Sequence, residues 1–149
     1  MNAKPNPMEL IPHRPPMLLI EEVLNVSNER AESLLWLSTD SPFYVPERGV
    51  PNWVGLEYMG QTAALIAGYQ QQTGQCLPHL GFLLGCREYL SEVTHFKAGT
   101  CLHVQAEQST VVGESLATFK CTIATFDAEV ETVVSELATA QLSVFRQPL

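Results

Sequence analysis

Pro51-Asn52-Trp53-Val54-Gly55-Leu56-Glu57-Tyr58-Met59-Gly60-Gln61-Thr62-Ala63-Ala64-Leu65-Ile66-Ala67-Gly68-Tyr69 is the stretch whose reading decides the fold. From Trp53 to about Gln72 it reads as one helix of roughly 20 residues, ~30 Å long at 1.5 Å per residue. Pro51 and Asn52 suit its start, with Asn52 as N-cap, and Gly74 stands just past its end. Apolar side chains point almost all the way round, which predicts a helix buried on most sides.

One carboxylate, Glu57, interrupts that apolar run. Gln61 lies four residues on, along the same face. At i+3, i+7 and i+10 that face carries only Gly60, Ala64 and Ala67. A face with an acid, an amide and otherwise small side chains leaves room beside it, for a close-packed strand or for a substrate. Glu57 has two readings: an ordinary first-turn glutamate favoured by the helix dipole and open to water, or a sequestered carboxyl acting as general acid.

Working outward, the 149 residues make one domain, 1–149, with enough chain for a real core. Hydrophobic residues are 46% and charged residues 16%, which excludes a disordered chain. A net charge of −8 argues against nucleic acid and anionic membranes as partners. No apolar run reaches the ~18 residues of a membrane span, and Met17-Leu18-Leu19-Ile20 halts at Glu21. Four scattered cysteines without a CxxC pair predict reduced thiols, no metal site and a cytoplasmic protein. Nothing calls for a cofactor.

Five prolines in residues 1–16 give a short helical turn and a rigid extended lead-in. Strand signals follow at Met17–Val26 and Ala31–Ser38, then a loop at Thr39–Pro51 feeds the helix. Beyond a polar linker, Gln70–His79, strands are expected at Leu80–Leu90, Thr100–Val111, Ser115–Phe126 and Glu131–Phe145. Alternation is clearest in Leu102-His103-Val104-Gln105-Ala106-Glu107, which places His103 on a wet face. The order predicts an α+β protein, one antiparallel sheet wrapped around one long central helix. Exposed edges of such a sheet invite pairing with a second chain.

Leu10-Ile11-Pro12-His13-Arg14-Pro15-Pro16-Met17-Leu18-Leu19-Ile20-Glu21-Glu22-Val23 resembles the opening of the hot-dog fold 3-hydroxyacyl-acyl carrier protein dehydratases. Glu57-Tyr58-Met59-Gly60-Gln61 resembles the central-helix motif of that family. Gly81-Phe82-Leu83-Leu84-Gly85 and Phe96-Lys97-Ala98-Gly99-Thr100 match the strand and turn that follow. Val50–Met59 is most similar to the divergent dehydratase-like subunits of aryl-polyene pathways.

The resemblance implies a hot-dog fold and elimination of water from a 3-hydroxyacyl thioester, in fatty-acid or polyketide/aryl-polyene type synthesis. It implies Glu57 as the acid and Gln61 as the amide that orients it. Trp53, Val54, Gly55, Gly60, Ala64 and Phe82 become the expected substrate-binding positions. An acyl carrier protein or coenzyme A thioester, and a homodimer or a heterodimer with a second hot-dog chain, become the expected partners.

The family's histidine belongs about fourteen residues before the acid, in a His-Phe-Pro segment. That position is Phe43 here, and residues 40–51 contain no histidine. His79 and Tyr44 are the expected replacements, although a phenol with an ordinary pKa near ~10 makes a poor base. His13 belongs to the opening motif and is expected to be structural, and His95 is expected to be exposed. Three functions follow: a dehydratase with Glu57 as acid, a non-catalytic or half-site subunit whose partner brings the histidine, or a hot-dog thioesterase needing only the carboxylate. Arg14, Arg48, Arg87 and Lys97 are the candidates for docking an acidic carrier protein.

Overall fold

Every strand of the main sheet runs antiparallel to its neighbours, so each can pair with one near in sequence or fold back over the helix between. The computed structural model describes residues 4–76, 79–113 and 115–148, with backbone alone at positions 79, 80, 82 and 148. A single helical turn, α1 (Pro7–Leu10), precedes β1 (Glu22–Val26) and β2 (Arg30–Trp36). A short β3 (Val50–Pro51) and a 3-10 turn (Asn52–Val54) lead into α2 (Gly55–Gln72). Then come β4 (His79–Ser91), β5 (His95–Phe96), β6 (Cys101–Val112), β7 (Leu116–Asp127) and β8 (Thr132–Pro148). Six strands form one sheet in the order β1-β2-β6-β7-β8-β4, and β3 pairs with β5. The sheet wraps α2, the α+β arrangement expected of a hot-dog fold.

Burial of α2 follows from its composition. Met59, Leu65 and Ile66 are fully enclosed, each contributing about 1.5–3 kcal/mol of apolar burial. From Gly55 to Gln71 no helix residue is exposed, and the half-open positions include Glu57, Gly60, Ala64, Ala67 and Gln71. They recur at helical spacing, so they form one stripe. Opposite that stripe the polar side chains are consumed by the fold. Thr62 donates to the Tyr58 carbonyl at 2.8 Å and meets Ser33 Oγ of β2 at 2.7 Å.

Three local expectations need correction. Met17–Glu21 is not strand, because the Leu19 and Ile20 amides donate to the Gln61 side chain instead of a sheet neighbour. Asn52 does not cap α2: its Nδ2 donates to the Val93 carbonyl at 2.8 Å, and Val54 takes the cap position without a side-chain bond. His103 is not wet. It is 4% exposed, sits 3.0 Å from Glu32 Oε1 and stacks on Phe126 across the outer surface of the sheet.

The two sheet edges differ. β1 is short and carries Glu22 and Asn25, whereas β4 runs through thirteen residues and exposes Leu83, Leu84 and Leu90. A long apolar edge is the kind that a partner covers. Among the described residues, no helix is long and apolar enough to cross a membrane, and no cluster of His, Cys, Asp and Glu is poised to hold a metal.

Candidate active site

Gln61 is fully buried and uses both ends of its amide. Its oxygen accepts from the Leu19 amide at 2.8 Å and the Ile20 amide at 3.4 Å; its nitrogen donates to the Met17 carbonyl at 2.8 Å and to Glu57 Oε1 at 3.0 Å. One side chain therefore pins the lead-in segment to α2 and aims the carboxyl group. The i, i+4 spacing makes the second task possible; the first is a contact across more than forty residues.

Ahead of that anchor, the lead-in runs antiparallel to α2. Gln72 Nε2 donates to the Glu9 carbonyl at 2.8 Å near the end of the helix. At Gly68 the Leu10 carbonyl comes so close that any Cβ would collide with it. Arg14 braces the segment from within, donating to the Met8, Ile11 and His13 carbonyls. This layout carries His13 to the same end of the helix as Glu57.

Between the lead-in and the sheet lies a cleft of about 300 Å³. Its floor is the half-open stripe of Glu57, Gly60, Ala64, Ala67 and Gln71. Leu10, Pro12 and His13 form one wall; Leu83, Phe119, Val144 and Arg146 come from the strands opposite. A Cβ added at Gly60 would meet nothing within 4 Å, so the small residue leaves real space. From Glu57 to Gln71 the floor extends ~21 Å at 1.5 Å per residue. At the far end Arg146 donates to Gln108 Oε1 at 3.0 Å, and burial lowers its pKa.

At the Glu57 end of the cleft two ionisable groups face each other. His13 Nε2 lies 3.9 Å from Glu57 Oε1, with side chains 30% and 44% exposed. His13 Nδ1 is buried without a hydrogen-bond partner. This pair is what sequence reasoning missed. The signal was present in the Pro-His-Arg opening, but its meaning depends on where the lead-in lies.

The remaining expected site residues scatter. Gly60 and Ala64 join Glu57 in the cleft, with Gln61 directly behind. Val54 is buried in the core, and a Cβ at Gly55 would meet Tyr89 Oη at 2.6 Å and Ile123 Cδ1 at 2.8 Å, on the sheet side. Trp53 is 58% exposed and meets Phe43 edge-on at 5.6 Å. Tyr44 is half-buried against the core and lines no part of this cleft. The His79 and Phe82 side chains lie outside the described residues. Tyr89, whose hydroxyl donates to the Asn52 carbonyl, is pushed up to about 12 by burial and then by Cys86; burial likewise raises Tyr58. Both phenols near the helix start stay protonated near neutral pH.

Sequence comparison supplies the family. Residues 5–148 match the ApeP-like family, described as ApeP dehydratase. The chain belongs to the ApeP-like dehydratases. That is the group to which Val50–Met59 points, and it makes the chain a dehydratase-like enzyme of the aryl-polyene type. Among solved structures, the dehydratase heterocomplex ApeI:P from Xenorhabdus doucetiae aligns with 99% of this chain and 93% of its own, at 26% identity and TM-score 0.84. A mutant of thioesterase PA1618 from Pseudomonas aeruginosa aligns over 86% and 81%, at 10% identity and TM-score 0.62. Cj0977, a sigma28-regulated virulence protein from Campylobacter jejuni, aligns over 91% and 81%, at 13% identity and TM-score 0.60. The last two show the fold alone. No curated protein matches significantly.

Proposed function

We propose that this ApeP-like dehydratase eliminates water from 3-hydroxyacyl thioesters carried on an acyl carrier protein, with Glu57 as general acid. The observation that carries the reading is Glu57 itself: held by a buried amide and facing a cleft floored by missing side chains. Gln61 orients the carboxyl group toward the leaving hydroxyl. The acyl chain lies along Gly60, Ala64 and Ala67 toward Arg146, and the positive end of the α2 dipole favours the thioester oxygen as it gains charge. The whole chain, 1–149, acts as one domain in the cytoplasm.

A second hot-dog chain completes the cleft. The apolar β4 edge supports that reading, as does the likeness to a heterocomplex. The base has two possible sources: a histidine on the partner's loop, favoured by the lack of one in residues 40–51, or a histidine of this chain. Tyr44 lines no part of the cleft, and the His79 side chain lies outside the described residues.

Glu57→Gln is the test. It keeps shape and hydrogen bonding and deletes the transferable proton. Turnover of a 3-hydroxyoctanoyl thioester, followed by the absorbance of the unsaturated product, should fall by about 10²–10⁴, with circular dichroism unchanged. More than a tenth of the rate remaining excludes Glu57 as the acid. Release of free thiol instead of an unsaturated thioester would point to hydrolysis.

A further inference from the structure

We infer that the base facing Glu57 is His13 of the same chain, an inference that rests on the dehydratase reading above. Elimination needs two groups on one side of the substrate: one within ~3 Å of the α-hydrogen, the other within ~3 Å of the β-hydroxyl. The α and β carbons are bonded neighbours, so the two groups must sit a few ångströms apart without binding each other. His13 Nε2 and Glu57 Oε1 are 3.9 Å apart, beyond a direct hydrogen bond, at one end of a cleft that both of them line.

The other described histidines have other positions. His103 is locked between Glu32 and Phe126 on the outer surface of the sheet. His95 lies on β5, paired with Pro51, with Nδ1 3.0 Å from Thr94 Oγ1. His13 has no such anchorage. Nδ1 has no hydrogen-bond partner, and Glu57 is the one carboxylate within 4.0 Å of its ring nitrogens among the described residues. A histidine kept only to hold the lead-in would bond to it, yet Arg14 and Gln61 do that work.

The step balances within the pair. Nε2 takes the α-proton, and the C–H electron pair becomes the second Cα–Cβ bond. The Cβ–O bond breaks toward oxygen, which takes the Glu57 proton and leaves as water. An imidazolium and a carboxylate remain facing each other, and return of one proton, directly or through the released water, resets both. No co-reactant is required.

Base and anchor are separated by hydrogen exchange, measured on the chain together with any hot-dog partner that co-purifies. The probe is a 3-hydroxyoctanoyl thioester in deuterium oxide. Glu57→Gln should still exchange the α-hydrogen while failing to eliminate water. His13→Gln should lose both, by at least about a hundredfold, and free imidazole should restore part of the activity of His13→Ala. An unfolded His13→Gln would be seen by circular dichroism, and the imidazole rescue then carries the test. Exchange and elimination above a tenth of wild type in folded His13→Gln would overturn the assignment, while the Glu57 result keeps the dehydratase reading standing. Loss of exchange on changing a partner's loop histidine to alanine, with His13→Gln active, would also overturn it and give the base to the partner.

Discussion

Two histidine–glutamate pairs, one on the outer surface of the sheet and one between the lead-in and α2, are built differently. On the outer surface His103 meets Glu32 at 3.0 Å, Arg30 lies 3.7 Å from the same carboxylate oxygen, and Phe126 stacks on the ring. That pair is closed: the imidazole is buried and nothing can come between the partners. Across the cleft His13 and Glu57 stand 3.9 Å apart, both accessible, with one ring nitrogen unused. A pair that only stabilises gains by contact, because a buried polar group without a partner costs about 1–3 kcal/mol. A pair that transfers protons to a substrate has to leave the gap open. Proximity of charge does not separate the two roles; the space between the partners does.

The largest way to break this contrast is through Gln61, which holds the open pair in place. Gln61→Leu keeps the volume but leaves the buried Leu19 amide without a partner, removes the donor to the Met17 carbonyl, and frees Glu57. Thermal unfolding should show a loss of about 3 kcal/mol or more, and elimination should fall with it. Retention of wild-type stability would mean that the lead-in is not anchored as described.

Next comes the closed pair. His103→Gln should cost about 2 kcal/mol in stability, with kcat and KM for dehydration within about twofold of wild type. Denaturant unfolding and steady-state kinetics on one preparation check both halves. A hundredfold loss of kcat in a stable protein would erase the distinction between the two histidines.

The smallest effects come from two glycines on the cleft side of α2. Gly68→Ala should cost about 1–2 kcal/mol, since the new methyl meets the Leu10 carbonyl and pushes the His13 wall outward. Gly60→Ala meets nothing, so stability should hold or rise by up to about 1 kcal/mol, the usual gain on replacing a mid-helix glycine. Its methyl narrows the cleft, so KM for long acyl chains should rise instead. Equal responses at the two positions would argue against a lead-in that touches α2 at Gly68 and leaves open space beside Gly60.

Much of this was legible in local pattern. The long helix, the six strands of the sheet and the acid–amide pair with its stripe of small residues all depend on periodicity, which a chain carries within a few residues. Resemblance of short motifs, in order, pointed to the family. What escaped was long-range. Alternation along β6 put His103 in water, because periodicity cannot see Glu32 and Phe126 arriving from neighbouring strands to cover it. Asn52 looked like a cap until Val93, forty-one residues away, claimed its amide.

The sequence by itself determined the elements, the carboxylate and the room beside it, since helix and strand periods and side-chain size are local properties. Only the tertiary structure decided which histidine faces that carboxylate. His13 and Glu57 are forty-four residues apart in the chain, and nothing periodic relates them. They meet because Gln61 takes the hydrogen bonds of Met17, Leu19 and Ile20 out of the sheet, and because Gly68 lets the lead-in pass against the helix. Those contacts exist only once the chain has folded back on itself.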